Sequence, residues 1–159
     1  MEKSNTSEKI KLLTGNGMWH TQETEDLPSV HLSDGPHGLR KQEEKERQNN
    51  VSLVSTCYPT ASALACSWDV TAAERLGRAV AKEAWNADVS VLLGPGINMK
   101  RSPLCGRNFE YFSEDPFLAG RLGAAYVSAA QGENVAVSLK HFAANNQETN
   151  RQTSNSQID

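Results

Sequence analysis

The stretch SLKHFAANNQETNR, residues 138–151, sets a lysine and a histidine directly after a strand-like apolar run and crowds Asn, Gln, Glu and Arg behind them. A chain that only had to leave a sheet would use Gly, Pro, Asp or Ser at that point. The stretch reads as one that holds something polar. Lys140 can form a Schiff base where its pKa is lowered, or it can pair with a nearby carboxylate. His141 can be a satisfied core histidine or a metal ligand, but no second His or Cys stands at a ligand spacing from it. No metal is expected.

A second concentration of polar groups lies in GPGINMKRSPLCGRNFEYFSED, residues 94–115. A strand-to-helix connection usually needs two to six residues, so a loop of this length points to function. It carries Lys100, Arg101, Arg107, Glu110, Glu114 and Asp115 beside Phe109, Tyr111 and Phe112. Arginine offers a planar fork of donors, carboxylates accept from hydroxyls, and aromatic faces stack on the apolar side of a ring. Together these groups suit a neutral polyhydroxylated ligand. Simpler roles stand beside that one. Arg107 and Glu110 can pair to pin the loop, Asp115 can cap the helix that Pro116 opens, and at least two of the three aromatics are expected to pack beneath the loop. The GPG start loosely resembles a dinucleotide motif, but the spacing to a third glycine is wrong and no helix follows.

The elements that must position these groups are legible from periodicity. Ser7 can cap a short helix over 8–14 with Ile10, Leu12 and Leu13 on its apolar side and Gly15 closing it. A polar loop through Trp19 and His20 leads to SVHLS, read as a strand, then to the turn-rich DGPHGLR and the charged stretch KQEEKERQNN, read as a solvated loop. From Asp69 as N-cap, VTAAERLGRAVAKEAWNA places Val70, Ala73, Leu76, Val80 and Ala84 at helical spacing, and Thr71 and Glu74 have capping-box spacing. DVSVLLGPG is a buried strand, SEDP opens a helix that Gly132 stops, and VAVSL is a strand ending at Lys140. This alternation predicts an α/β fold with parallel strands and crossover helices, either doubly wound or part of a (β/α)8 barrel. Both architectures put function at the carboxyl ends of the strands, where Asp34, the 94–115 loop and Lys140 fall.

A chain of 159 residues with 38% hydrophobic content can support one core. Its net charge of −3 gives no electrostatic case for a nucleic acid or anionic membrane partner. The start MEKSNTSEKIKLLTGNG has no signal-peptide pattern and no run is long enough to span a bilayer, so a cytoplasmic location is expected. Cys57, Cys66 and Cys105 are odd in number and form no CxxC pair, which argues against a disulfide framework and a zinc site. The composition carries no signal of oligomeric state.

Three motifs, LSDGPHGLR, LLGPGINMKRSPLCGRNFEYFSEDP and SLKHFAANNQE, closely resemble in this order the amino-terminal domain of glycoside hydrolase family 3 β-glucosidases. WHT at Trp19 and PTASALACSWD ending at Asp69 fit the same pattern, so the resemblance covers nearly the whole chain. It implies a (β/α)8 barrel whose strand ends hold the non-reducing sugar of a β-glucoside or oligosaccharide. Carried over residue by residue, Asp34 accepts from sugar hydroxyls and Arg40 supports or shares that contact. Arg107, Lys140 and His141 donate to or orient the remaining hydroxyls. The resemblance also implies unusual backbone at Lys140, His141 and Phe142, non-proline cis peptides being a family feature, with Asn145, Asn146, Gln147 and Glu148 bracing the loop.

A retaining glycosidase needs two carboxyl groups about 5–5.5 Å apart. The resemblance places the nucleophilic aspartate on a later strand and the acid/base glutamate in a second domain, so no catalytic residue is assigned within residues 1–159. A complete barrel takes about 250 residues, so the chain is read as the amino-terminal part of one, a partial barrel of roughly its first half. The activity implied for the complete protein is hydrolysis of terminal non-reducing β-D-glucosyl residues with retention and without a cofactor. The isolated chain is expected to be inactive and, with strand edges open, to self-associate. The alternative is an inactive carbohydrate-binding remnant or a half that complements another chain.

Overall fold

The computed structural model describes residues 6–43 and 51–158. Its elements are α1 (Thr6–Lys11), β1 (Leu32–Asp34), α2 (Ala61–Ala65), α3 (Val70–Asn86), β2 (Val91–Leu93), a 3₁₀ turn (Asn108–Glu110), α4 (Pro116–Gln131) and β3 (Ala136–Val137). The three strands pair in parallel in the order β1-β2-β3, with Leu32 opposite Val91, Asp34 opposite Leu93, and Val91 opposite Ala136. Consecutive strands are therefore neighbours, as in the wall of a (β/α)8 barrel; a doubly wound sheet reverses its order at a switch point. Crossovers of one hand put the connecting helices on one face of such a sheet. There α3 and α4 pack against each other.

Both long helices begin as their sequences dictate. Asp69 accepts the Thr71 N–H at 2.8 Å, and Asp115 accepts from Phe117 and Leu118 at 3.0 and 3.2 Å, with Pro116 at the first helical position. Asp115 is thus a helix cap. Glu74 pairs forward with Arg78 at 2.8 Å instead of reaching back in a capping box. The buried face of α3 is Ala73, Leu76, Gly77, Val80, Ala81 and Ala84, and that of α4 is Ala119, Leu122, Gly123, Tyr126, Ala129 and Ala130. With Val89, Leu92 and Val135 from the strand segments, these residues make the core.

Small residues let the two helices approach until backbone meets backbone. A Cβ added at Gly77 would stand 2.9 Å from Tyr126 Cα and nearer still to the Tyr126 carbonyl oxygen. Gly77→Ala gains about 1 kcal/mol of helix propensity, but overpacking against a backbone that cannot swing away costs about 3 kcal/mol. The expected net loss is about 2 kcal/mol, a fall in Tm of roughly 4–8 °C for a chain of this size. A thermal melt in which the variant is as stable as the parent would refute this close approach.

The amino-terminal elements depart from the sequence reading. α1 covers Thr6–Lys11 rather than 8–14, so Ser7 lies inside the helix, and Ile10, Leu12 and Leu13 are exposed, the last at 86%. None of them is buried, so this apolar side makes no core among the described residues. The strand read as SVHLS begins only at Leu32, because Val30 bonds Thr21 through both its N–H and its carbonyl, and His31 bridges His20 antiparallel. β3 is likewise short, yet the Ser138 N–H still bonds the Leu92 carbonyl, and Lys140 continues the line as a parallel bridge to Gly96. α2, capped by Thr60, and the 3₁₀ turn were not anticipated, being too short to show a period. Residues 44–50 of the charged stretch lie outside the described residues. Among those described, no helix is long and apolar enough to cross a membrane, and the three cysteines are free.

Candidate functional site

The carboxyl ends of the three strands bring together groups from three distant parts of the sequence. Asp34 closes β1, the long loop leaves β2 through a cis Gly94–Pro95 bond, and Lys140 follows β3. Lys140 Nζ donates to Asp34 Oδ1 at 2.6 Å and lies 3.7 Å from Glu110 Oε2. The other oxygen of Glu110 takes a hydrogen bond from Arg107 Nε. The result is a chain of alternating charge, Asp34, Lys140, Glu110, Arg107. Glu110 is 5% exposed at its centre. Two carboxylates and two cations sum to zero, a balance that suits a neutral hydroxyl-bearing ligand better than a phosphate.

Arg107 shows how the network holds its charges: burial disfavours the guanidinium, but the hydrogen bond and charge of Glu110 outweigh it and raise its pKa. Lys140 is the ion-pair partner of Asp34, an arrangement of a charged ammonium and not of the free amine a Schiff base requires. Asp34 Oδ2 has no hydrogen bond among the described residues and the carboxylate is partly exposed, so one oxygen remains available as an acceptor.

His141 follows Lys140 directly and is partly buried. Its Nδ1 lies 2.7 Å from Tyr111 Oη, and the two rings meet edge to face. Burial first, then the charges of Arg107 and Lys140, hold its pKa below the ordinary imidazole value. Cis peptides at Lys140–His141 and Phe142–Ala143 agree with the unusual backbone expected there. Asn98 clamps the segment that follows, accepting the Asn145 N–H at 2.9 Å and donating to Asn146 Oδ1 at 2.9 Å. Asn145 Nδ2 donates to Glu148 at 3.0 Å, and Arg151 to Glu148 at 3.0 Å. Asn145, Asn146 and Glu148 thus brace the loop. Gln147 is exposed and has no such bond among the described residues.

Arg40 is not gathered with the others. Its backbone N–H bonds the Asp34 carbonyl at 2.9 Å, fixing the turn after β1, but its side chain is exposed and forms no ion pair with Asp34 among the described residues. Lys140 takes that place. Of the loop aromatics, Tyr111 and Phe112 are buried, while Phe109 is half exposed with its ring against His37. Lys100 supports the loop from beneath by donating to Ser62 Oγ at 2.6 Å, and Ser62 in turn bonds the Asn108 carbonyl at 2.8 Å. The central place of Glu110 had a sequence signal, an acid set among Phe109, Tyr111 and Phe112, whereas Ser62 was marked only by lying within the PTASALACSWD run and received no role.

Within the charge chain only Asp34, with a side chain 33% exposed, is substantially open to solvent. A cavity of about 880 Å³ lies elsewhere, between the long loop and residues 143–158, lined in part by Asn98, Arg101, Glu148 and Gln157. No group of three or more His, Cys, Asp or Glu among the described residues could hold a metal ion.

Comparison with known proteins gives this geometry a context. Residues 33–158 match the family model described as the glycosyl hydrolase family 3 N terminal domain. The chain is 52% identical over 156 residues to a thermostable beta-glucosidase B of Acetivibrio thermocellus, covering 96% of this chain and 21% of that protein. It is 47% identical over 149 residues to an exo-alpha-(1->6)-L-arabinopyranosidase of Bifidobacterium longum, covering 91% and 20%. Among solved structures, beta-glucosidase 3B of Thermotoga neapolitana in complex with glucose superposes with a TM-score of 0.80 at 36% identity, over 92% of this chain and 23% of that one. The chain thus spans about a fifth of the length of the curated relatives it matches. With three strand-end motifs gathered on one face and the family model matched from the first of them onward, the chain belongs to glycosyl hydrolase family 3, within its N-terminal domain.

Proposed function

We propose that this chain is the sugar-holding part of a retaining β-glucosidase that removes terminal non-reducing β-D-glucosyl residues, and that Asp34, Lys140, His141 and Arg107 grip the hydroxyls of that sugar. The observation that carries the reading is the charge-balanced chain from Asp34 to Arg107 at the strand ends, with one oxygen of Asp34 left to accept. Arg40 acts in it only by fixing the turn that carries Asp34.

Neither Asp34 nor Glu110 serves as nucleophile or acid/base in this reading. Lys140 Nζ sits between the two carboxylates, where a retaining pair would have to admit the anomeric carbon. The nucleophile and the acid/base then come from later strands and a second domain. The relatives act on glucosides and on an arabinopyranoside by name, and β-D-glucoside is preferred here because a glucose complex superposes over most of the chain.

Titration of the 159-residue chain with D-glucose, followed by isothermal calorimetry, tests the reading, with an aryl β-glucoside offered in parallel. Saturable binding without release of the aryl alcohol is the expected result. Failure to bind any hexose would overturn the sugar-holding role, and hydrolysis that Asp34→Ala abolishes would overturn the exclusion of Asp34 from the chemistry.

A further inference from the structure

Tyr111 is fully buried, and its phenol oxygen has two partners: Asn145 Nδ2 at 2.7 Å and His141 Nδ1 at 2.7 Å. The same Asn145 Nδ2 reaches Glu148 Oε1 at 3.0 Å. A carboxylate only accepts, so Glu148 fixes which end of the Asn145 amide faces inward: the NH₂ group. Asn145 therefore donates to Tyr111 Oη. The single phenol proton must then go to the remaining partner, since a buried O–H left without an acceptor is costly and no other acceptor lies within reach of Oη among the described residues. It goes to His141 Nδ1, which must be bare.

We propose that Glu148, Asn145 and Tyr111 form a positioning relay that fixes His141 as the Nε2–H tautomer, making its second ring nitrogen a hydrogen-bond donor to the ligand. The ligand in this statement rests on the sugar reading above; the tautomer does not. Nε2 has no hydrogen bond among the described residues. Asp34, whose Oδ1 is held by Lys140 and whose Oδ2 has no hydrogen bond among the described residues, supplies the acceptor. The site so arranged presents one fixed donor and one fixed acceptor, which is how a protein tells the orientation of one hydroxyl from another.

The charges around the ring agree with a neutral imidazole that has a tautomer to fix. Burial and the cations Arg107 and Lys140 disfavour its protonation, against the opposing pull of Glu110 and Asp34. The relay also gives Asn145 and Glu148 a task beyond bracing the loop. Tyr111, Asn145 and Glu148 are positioning residues, because each acts on the ligand only through His141.

The test is a two-bond proton–nitrogen correlation spectrum of the ¹⁵N-histidine-labelled protein, with the His141 signals assigned by their loss in His141→Gln. The expected pattern is a pyrrole-like Nε2 and a pyridine-like Nδ1. In Asn145→Asp the new carboxylate takes the Tyr111 proton, the phenol oxygen turns to accept from the ring, and the His141 proton moves to Nδ1. A His141 that carries its proton on Nδ1 in the parent protein overturns the relay. So does an Asn145→Asp protein whose tautomer is unchanged, and if that variant does not fold the parent spectrum still decides. Nε2–H in a protein that takes up no sugar would leave the relay standing and remove the sugar reading; Nδ1–H in a protein that binds glucose would do the reverse.

Discussion

Asp34→Ala lowers the affinity for glucose by roughly 30- to 700-fold, and Asp34→Asn by less. The estimate follows from the type of bond removed. A hydrogen bond to a charged group contributes about 1.5–3 kcal/mol, and a carboxylate at a sugar site can accept from more than one hydroxyl, so the loss is about 2–4 kcal/mol, at about 1.4 kcal/mol per tenfold in Kd. Oδ1 is already engaged by Lys140 at 2.6 Å. That ion pair holds the carboxylate in one orientation before any ligand arrives, which removes part of the ordering cost of binding. Asparagine keeps one acceptor oxygen and loses the charge, so it should fall between the parent and alanine. Calorimetric titration of the three proteins, each with its fold checked by circular dichroism, gives the comparison. An alanine variant that binds within threefold of the parent would show that Asp34 is a structural partner of Lys140 and not a ligand group.

Much of this site was legible in the sequence because its parts lie at element ends, where chemistry and local structure leave separate marks. Asp115 before Pro116 reads as a cap, and it is one. Arg107 and Glu110, three apart in a loop too long for a simple connection, read as a pair that pins it, and they do pair. Lys140 is different. Its partner Asp34 lies more than a hundred residues earlier, and only the parallel register of β1, β2 and β3 brings the two together. Local spacing offers no sign of such a contact; the likeness of the motifs to a known family put both residues at one sugar pocket without pairing them.

The misreadings have a common physical origin. Arg40 was expected, from the family resemblance, to support or share the contact of Asp34, and it meets Asp34 through its backbone N–H alone. A turn that closes by the backbone bond from Arg40 to Asp34 leaves the guanidinium outside. The apolar residues near α1 and the early part of SVHLS were assigned to packing and to the sheet. In the fold Leu12 and Leu13 are exposed, and Val30 is occupied with Thr21. Periodicity states which side of an element is apolar but not whether anything comes to cover it.

Removing Lys140 should cost stability as well as binding, because Glu110 cannot move to water. In Lys140→Met, Asp34 loses its ion pair and Glu110, 5% exposed, keeps only Arg107. Stranding a buried charge costs about 3–5 kcal/mol. The Asp34 side chain is 33% exposed and can recover part of its hydration, so the expected loss is nearer 2–3 kcal/mol, or a fall in Tm of about 5–10 °C. Methionine fills much of the space of the lysine stem, which keeps the loss electrostatic and not steric. Adding Asp34→Asn to Lys140→Met removes the uncompensated carboxylate, and the double variant should be more stable than the sum of the single effects predicts, by at least about 1 kcal/mol. Urea unfolding of the four proteins in the cycle measures that coupling. Additivity within about 0.5 kcal/mol would mean that the two charges are independently hydrated. The alternating chain would then be a juxtaposition without energetic consequence, and the rigidity it lends to Asp34 as an acceptor would have to come from the backbone turn that Arg40 closes.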